Sequence, residues 1–363
     1  MNSLDEARKI INDVDSKMAE LFCERMRAAR MVAEYKQAHG LKIYDEKREE
    51  EVIRRNSALV EDRELREYYV NFLKNNMAVS REYQDRLMSG MKVAYCGTEG
   101  AFAHIASNKL FPNTRKIAFG DFESTYRSVV SGECDVCVLP VENSYNGEVG
   151  QVTDLMFSGP LYINSVTELA VSHDLLVFPG TNIEDVKTVI SHPQALAQCA
   201  EYIKKLGLTQ IEYTNTALAA KYVADKGDKS VAAIASEEAA ELLGLEVLAR
   251  NINASRTNTT RFAVFSRAED VRGENQKGVH SIFLFTVRNE AGALARAIDI
   301  IGKYGFNMIS LRSRPMKELL WQYYFYIEAE GNVNSEAGRA MMSELHSCCD
   351  KLKSIGTYLN AGD

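Results

Sequence analysis

The sequence lacks the features that mark membrane, secreted and nucleic-acid-binding proteins. No apolar run approaches the roughly 20 residues needed to span a bilayer. The first residues have neither the basic stretch nor the apolar stretch of a secretory signal, so nothing favours secretion. The net charge is -7, which argues against a nucleic-acid partner and against an anionic membrane surface.

Patterns for disulfides and metal sites are also missing. The seven cysteines form an odd, scattered set, which suits free thiols in a reducing cytoplasm. Cys134 and Cys137 have the spacing of a redox pair, but their stretch reads as a strand, where residues three apart point to opposite faces. Six histidines show no ligand spacing. We expect a cytoplasmic protein without a metal or another cofactor.

The chain is long enough for two or three domains of ordinary globular composition. It has 363 residues, of which 46% are apolar and 26% charged. Ser89-Gly90 and the polar stretch 272–278 separate three segments. We therefore expect domains at 1–88, 91–268 and 279–360.

The first segment reads as helical, with cations on its apolar stripe. Ser3 and Glu6 form a capping box and Gly40 is a stop signal, with no Pro or Gly between them, so one helix would span roughly 50–55 Å. Its stripe continues into Arg25, and Lys36 lies close to the same line. One buried charge can simply fix the register of a coiled coil. Several cations along one seam favour an anionic ligand inside a bundle. The stripe consists of Leu4, Ala7, Ile11, Val14, Met18 and Leu21.

Two further helices add polar pairs that are individually ordinary. Asp45, Arg48 and Glu49 share one helical face, and Ser80 and Gln84 are one turn apart. Together with the first helix, they resemble the all-helical chorismate mutase family in order and spacing across the whole segment. The matching residues are Arg8, Arg25, Lys36, Asp45, Arg48, Glu49, Ser80 and Gln84.

The resemblance implies rearrangement of chorismate to prephenate. Such an enzyme needs cations for two carboxylates and donors at the ether oxygen, where negative charge develops. By resemblance, the carboxylates are held by Arg8, Arg25 and Arg48. Lys36 and Gln84 would contact the ether oxygen, while Glu49 and Asp45 position the hydroxyl end, with Ser80 in support. Arg8 and Lys36 are 28 residues apart on one helix, about 42 Å. If both contact one substrate, Arg8 comes from a second chain, so we expect an intertwined homodimer or a higher oligomer.

The middle segment alternates strands and helices, and its apolar runs end in polar residues. Glu142, Asn143 and Ser144 follow one run, and Ser191 and His192 follow another. A Gly-bearing turn at 97–100 opens a helix whose N–H groups could hold a carboxylate. Ligand-binding polar groups at the carboxyl ends of strands are typical of α/β folds. Each alone fits an ordinary turn, cap or loop residue better than a catalytic role.

Taken as a set, these motifs resemble prephenate dehydratase over the entire segment. The resemblance implies a two-lobed fold like that of a periplasmic binding protein, with one lobe at about 91–166 and 251–268 and the other at about 167–250. Ala101 and Ala103 stand where the family usually has hydroxyls. The implied site residues are Glu142, Asn143, Ser144, Ser191, His192, Gln198, Thr260 and Arg261.

The implied reaction is loss of CO2 and water from prephenate to give phenylpyruvate. By resemblance, the side-chain hydroxyl of Thr260 contacts the C4 hydroxyl that leaves the substrate. It would act as a positioned hydrogen-bond donor because threonine is a weak acid. Arg261 beside it either anchors a carboxylate or locks the loop.

The last segment has a βαββαβ pattern, which is ferredoxin-like. The expected strands are 281–287, 308–314, 321–328 and 352–358, and the expected helices are 292–304 and 335–350. It resembles the ACT domain of prephenate dehydratases, supported also by Trp321. In that family two ACT domains pair and bind phenylalanine, which lowers activity. Arg312 stands where the family has an acidic residue. The implied effector-binding residues are Asn289, Gly292, Ala293, Leu294, Asn307, Ser313, Arg314 and Pro315.

The whole chain thus resembles the bifunctional chorismate mutase–prephenate dehydratases, acting on chorismate and prephenate in phenylalanine biosynthesis. Two alternatives remain. In one, the helical domain no longer catalyses and serves only for assembly. In the other, the chain is a non-enzymatic amino-acid sensor.

Overall fold

The computed structural model describes residues 3–254, 257–274, 276–316 and 322–359. The chain divides into two compact units, Met1–Lys92 and Val93–Asp363. Within the described residues, none of the helices is both long enough and apolar enough to cross a membrane.

The first unit consists of three helices, α1 (Ser3–Ala38), α2 (Glu46–Ser57) and α3 (Arg63–Ser89). Asp45 and Asp62 cap α2 and α3 by accepting backbone N–H groups. The uninterrupted α1 has 36 residues, about 54 Å at the α-helical rise. Its buried residues are Ala29 and Ala33. Most of its apolar stripe is therefore exposed within the chain, including Leu4, Ile11, Val14, Met18 and Leu21.

The second unit begins with a mixed sheet, flanked by helices, that is built from the two ends of the expected dehydratase segment. Its main strands follow the order β2-β1-β3-β11-β5, and β4 pairs with β3. β5 stays in this sheet as far as Ala170, four residues beyond the expected lobe boundary, because it pairs with β11 along its whole length. The elements are β1 (Lys92–Cys96), α4 (Phe102–Leu110), β2 (Arg115–Phe119), α5 (Phe122–Val130), β3 (Val136–Asn143), β4 (Gly147–Glu148), α6 (Gly150–Ser158), β5 (Tyr162–Ala170) and β11 (Thr259–Ser266).

The intervening residues form a second sheet. It has five strands, in the order β10-β6-β9-β7-β8. Most of its helices begin at polar residues that follow its strands, as in other α/β folds. The elements are β6 (Asp174–Val177), a 3-10 helix (Ile183–Asp185), β7 (Thr188–Ser191), α7 (Pro193–Gln198), α8 (Ala200–Leu206), β8 (Thr209–Glu212), α9 (Thr216–Lys226), β9 (Val231–Ala235), α10 (Glu237–Leu243) and β10 (Glu246–Ala249). The helical first segment and the two-sheet α/β arrangement are both confirmed.

The last described part is a four-stranded sheet in the order β13-β14-β12-β15, which is the ferredoxin-like arrangement. α12 ends at Leu345, five residues before the expected end at Asp350, and backbone turns replace its last part. The expected strand start at Trp321 lies outside the described residues. The elements are β12 (Val279–Thr286), α11 (Ala293–Lys303), β13 (Asn307–Pro315), β14 (Tyr323–Glu330), α12 (Glu336–Leu345) and β15 (Lys351–Leu359).

One hydrophobic core joins the ferredoxin-like sheet to the first sheet of the dehydratase segment. Ile282 and Leu284 of β12 lie in the same cluster as Ile163 of β5 and Phe265 of β11. The alternate residues of β12, such as Phe283, pack against α11 and α12 instead. Every residue of β12 is accordingly buried. Cys134 precedes β3, and it packs in the same core as Cys137 rather than on the opposite face. The strand expected from Cys134 begins at Val136, so the two-residue alternation does not apply between the two cysteines.

Candidate active sites

In the helical unit, α1 and α3 bring four of the expected residues together in two pairs. The Arg25 guanidinium donates to the hydroxyl of Ser80, and also to the carbonyl of Asn76 at 3.3 Å. Lys36 Nζ lies 3.4 Å from Gln84 Oε1 and 2.5 Å from the carbonyl of Ile43. Ser80 and Gln84 are buried, and burial lowers the pKa of Arg25. This is a polar, cationic patch inside an otherwise apolar helix contact.

The remaining helical candidates lie apart from these pairs within one chain. Asp45 is the N-cap of α2, and Arg48 pairs with Glu51 at the exposed surface. Glu49 pairs with Arg81, whose guanidinium also lies 5.4 Å from the ring centre of Tyr44. Arg81 is absent from the sequence prediction, although it stands one residue after Ser80. Arg8 is exposed near the far end of α1.

The second unit contains a cavity of about 510 Å³ between the first and second sheets. Four of the eight expected dehydratase residues line it, namely Asn143, His192, Gln198 and Thr260. Ala101 and Phe102 at the start of α4 line it as well, as do Asn215 and Thr216 at the start of α9. The described lining residues include neither Lys nor Arg; Arg256 lies outside the described residues. Two helix N-termini therefore supply positive electrostatic potential there.

Asn143 holds the Thr260 hydroxyl in place. Its Nδ2 donates to Thr260 Oγ1 at 2.9 Å and to Asn258 Oδ1 at 2.8 Å. Its Oδ1 accepts the backbone N–H groups of Tyr145 and Asn146 at 3.0 Å. Because the Thr260 oxygen already accepts a hydrogen bond from Asn143, its own proton is left to point elsewhere.

A buried histidine that sequence reasoning missed continues this polar chain. His173 Nε2 lies 2.9 Å from Gln198 Oε1, which also accepts from Asn258 Nδ2 at 3.0 Å. His173 is 4% exposed and lines the cavity, and its Nδ1 has no hydrogen-bond partner among the residues that the structure describes. Burial lowers the pKa of His173 against the opposing effects of Gln198 and Asp174. Its only sequence signal is a polar pair, His173-Asp174, at the entrance to an apolar strand.

The other four expected dehydratase residues lie outside the cavity lining. Ser191 is fully buried and donates to the carbonyl of Ile234 at 2.6 Å, while Ser144 bonds the backbone of residues 257 and 259. Glu142 and Arg261 lie on the opposite strand face from Asn143 and Thr260, since successive strand residues alternate.

Arg261 is bonded into the ferredoxin-like sheet rather than into the cavity. Its guanidinium lies 2.6 and 3.0 Å from the carboxylate of Glu328, 2.8 Å from the hydroxyl of Tyr358 and 3.2 Å from Glu142. Burial alone would lower the pKa of Arg261, but the hydrogen bond and charge of Glu328 raise it overall. Glu328 is 1% exposed, and burial would raise its pKa, yet Arg261 lowers it. These contacts favour the alternative in which Arg261 locks the loop over the one in which it anchors a substrate carboxylate.

The expected effector residues fall in two places on the ferredoxin-like fold. Gly292 adopts φ +81 at the start of α11, followed by the buried Ala293 and the partly buried Leu294, while Asn289 is exposed beside them. Asn307 begins β13 and donates to Glu330 at 2.9 Å. Farther along β13, Ser313 and Pro315 are exposed and Arg314 faces the dehydratase segment.

Comparison with known proteins matches one family model to each unit. A family model described as chorismate mutase type II matches residues 7–85, and one described as prephenate dehydratase matches residues 93–270. A bifunctional chorismate mutase/prephenate dehydratase of Neisseria gonorrhoeae is 30% identical over 361 residues, which cover 98% of this chain and 96% of that protein.

Two solved structures each have a TM-score of 0.69 and cover 75% of this chain. One is described as a novel type of quorum-quenching acylase, with 31% identity and 98% of its chain covered. The other is described as a prephenate dehydratase from Arthrobacter aurescens in complex with L-Phe, with 24% identity and 90% of its chain covered. The second supports the fold alone.

Proposed function

The chain belongs to the family of bifunctional chorismate mutase/prephenate dehydratases, and from this premise we propose how its residues carry the two reactions. It is an isomerase that converts chorismate to prephenate and a lyase that converts prephenate to phenylpyruvate, in phenylalanine biosynthesis. The observation that carries the residue assignment is the hydrogen bond of 2.9 Å from Asn143 to Thr260 at the edge of the cavity. Neither alternative, the non-enzymatic sensor or the helical domain that serves only for assembly, accounts for the matches to both enzyme families.

For the mutase, the proposed site is the patch around Arg25, Lys36, Ser80 and Gln84. Lys36 donates to the ether oxygen as negative charge develops during C–O cleavage, and Arg25 holds a carboxylate. Gln84 lies 3.4 Å from Lys36 and turns its amide toward the same oxygen. Arg48, Glu49 and Asp45 complete the hydroxyl end. The reaction is a rearrangement, so no proton or group is transferred to the protein.

For the dehydratase, Thr260 is the proposed donor to the departing C4 hydroxyl. The Asn143 amide donates a hydrogen bond to the Thr260 oxygen, so the hydroxyl proton of Thr260 is directed to the substrate. The C1 carboxylate leaves as CO2, the electron pair of the broken C–C bond completes the aromatic ring, and the C4 oxygen leaves as hydroxide, which the Thr260 hydrogen bond stabilises and which takes a proton from solvent to become water. The N-termini of α4 and α9 receive a substrate carboxylate. His173 and Gln198 line the same wall.

Thr260→Val tests this assignment in a coupled assay with chorismate supplied and phenylpyruvate measured. The variant keeps the side-chain shape and removes the donor, so we expect dehydratase kcat to fall about 100- to 1000-fold. Mutase turnover should be unchanged in the same preparation. Thr260→Ser is the matched control, because it retains the hydroxyl. Wild-type dehydratase rates in Thr260→Val would reject the role of Thr260.

We also propose that the helical unit is completed by a second copy of the chain. The exposed stripe of α1 needs an apolar partner, and Arg8 lies 28 residues from Lys36 on one continuous helix, about 42 Å away. An antiparallel α1 from a second chain would cover the stripe and bring its Arg8 to the site. A homodimer is thus the smallest active form, and a higher oligomer is compatible with it.

The ferredoxin-like subdomain is proposed to be an ACT domain that binds phenylalanine and lowers dehydratase activity. Support comes from its sheet order and from Gly292, whose φ of +81 suits a turn that a ligand can approach closely. Titration of L-phenylalanine against the dehydratase rate tests this, and no response at millimolar levels would reject it. A cytoplasmic location is also proposed, from the odd number of scattered thiols and the biosynthetic role.

A further inference from the structure

The hairpin formed by β3 and β4 carries two carboxylates that face each other. Glu142 and Glu148 are directly opposed in its ladder, and like charges in that position repel. β4 has two residues, so few backbone hydrogen bonds offset the repulsion. The end of this hairpin nevertheless forms one wall of the dehydratase cavity, through Asn143, Asn146, Gly147 and Glu148.

Two arginines of β13 reach these carboxylates from the ferredoxin-like sheet. Arg312 Nη2 lies 2.5 Å from Glu142 Oε1, and Arg314 Nη1 lies 3.4 Å from Glu148 Oε1. The two arginines are two residues apart, so they share one face of the strand. All four side chains are between 17% and 27% exposed. Charges at this depth are screened less than charges on the open surface.

Both guanidinium groups are themselves held in place. Arg312 lies over the ring of Tyr326, 5.4 Å from its centre. Arg314 Nε lies 3.0 Å from Asp154 Oδ1 and 3.1 Å from the hydroxyl of Tyr324. A Cβ at Gly150 would come within 2.1 Å of Arg314 Nη1, so this close approach needs the glycine.

We propose that Arg312 and Arg314 are positioning residues of the dehydratase, which hold the β3–β4 hairpin where Asn143 can orient Thr260. Glu142 is adjacent in sequence to Asn143, so a displacement of the hairpin moves the Asn143 amide away from Thr260 Oγ1. The inference rests on the proposed role of Thr260. It gives a function to Arg312, which stands where the resemblance to ACT domains implies an acidic residue.

The test measures both reactions in the full-length variants Arg312→Met and Arg314→Met. We expect dehydratase kcat to fall about 10- to 100-fold with a smaller change in KM, because misplacement by about 1 Å has such effects. Mutase kcat stays at the wild-type value. Arg339→Met is the matched control, since Arg339 is an exposed arginine of the same subdomain that pairs with Glu274, and it should retain both activities.

A rescue experiment separates positioning from general loss of structure. Adding Glu148→Gln to Arg314→Met removes the repulsion, so dehydratase kcat should recover several-fold over Arg314→Met alone. If the arginine variants keep wild-type kcat, or if the double variant shows no recovery, the proposal is overturned.

If Arg314→Met does not fold, Gly150→Ala displaces the guanidinium while keeping its charge, and it should lower kcat in the same way. Full dehydratase activity in Gly150→Ala would then reject the proposal. If instead the proposed role of Thr260 is wrong, Thr260→Val keeps the wild-type dehydratase rate, and this result distinguishes the two failures. With Thr260→Val inactive and the arginine variants active, only the positioning role fails.

Discussion

The amide of Asn143 is bonded through both of its polar atoms, so its side chain cannot rotate without breaking several contacts. Nδ2 serves Thr260 and Asn258, while Oδ1 accepts two backbone N–H groups of the following turn. The conformation of this turn therefore sets the position of the Asn143 amide, and the amide in turn sets the orientation of the Thr260 hydroxyl. An orienting group of this kind acts through its donor, not through its size.

Asn143→Asp tests that idea, because it preserves shape and replaces the donor with an acceptor. The carboxylate would accept the Thr260 proton that the substrate needs, so we expect dehydratase kcat to fall about 100-fold. Steady-state kinetics with prephenate should show this as a change in kcat more than in KM. Ser144→Ala is the neighbouring control, since Ser144 bonds backbone groups outside the cavity. Full activity of Asn143→Asp would remove Asn143 from the mechanism.

His173 predicts how the stability of the second unit depends on pH. An unfolded histidine binds a proton below about pH 6.5, whereas burial lowers the pKa of His173 in the folded state. Between those two values the unfolded state holds more protons, so the free energy of unfolding falls as pH drops.

In calorimetry from about pH 7 to about pH 5, the transition of the second unit should shift to lower temperature in the wild type. His173→Gln keeps a donor toward Gln198 and removes the titration, so its shift should be smaller. The difference in stability is bounded by about 1.4 kcal/mol per pH unit. Parallel curves for the two proteins would contradict this reading.

At the scale of elements, the β3–β11 pair explains which site residues sequence reasoning could place. The apolar runs and the polar residues at their ends predict both strands, whereas Thr260 is singled out by the resemblance to prephenate dehydratase. Which residues face the cavity is decided by a register shift, since Arg261 opposes Glu142 while Phe262 opposes Pro140. The extra residue, Val141, lets Pro140 and Asn143 line the same cavity although they are three apart. Local sequence contains no clear signal for such a bulge, and none for the choice of Glu328 as the partner of Arg261.

The α1 helix makes the second element-scale prediction, which concerns assembly. Met18 lies in the exposed stripe, and Ser16 lies outside it on the same helix. A charge at residue 18 would be desolvated in the proposed dimer, whereas a charge at residue 16 would remain in water. Met18→Glu should therefore yield a monomer with strongly reduced mutase activity, and Ser16→Glu should leave both properties unchanged. Analytical ultracentrifugation with mutase assays decides; an active Met18→Glu monomer would reject the shared site.

At the scale of the whole molecule, the chain combines two units of different kinds. The helical unit has little apolar burial of its own along α1, and the proposed second copy of the chain would cover the rest. In the second unit, the dehydratase sheet and the ferredoxin-like sheet share one core, which includes Ile163, Phe265, Ile282 and Leu284. The ferredoxin-like subdomain is therefore part of the structural support of the cavity, and the βαββαβ pattern alone does not reveal this.

Truncation tests that shared core. A chain ending at residue 272 would expose the apolar face of β5 and β11 that β12 and β15 now cover, including Ile163 and Phe265. Exposure of a contiguous apolar face promotes aggregation, so we expect dehydratase activity to be lost and the second unit to precipitate or unfold. A chain ending at residue 90 should keep mutase activity, because the helical unit has its own contacts and its own proposed partner. If the chain ending at residue 272 stays soluble with wild-type dehydratase kcat, the ferredoxin-like subdomain is an independent attachment and the shared core has no structural role.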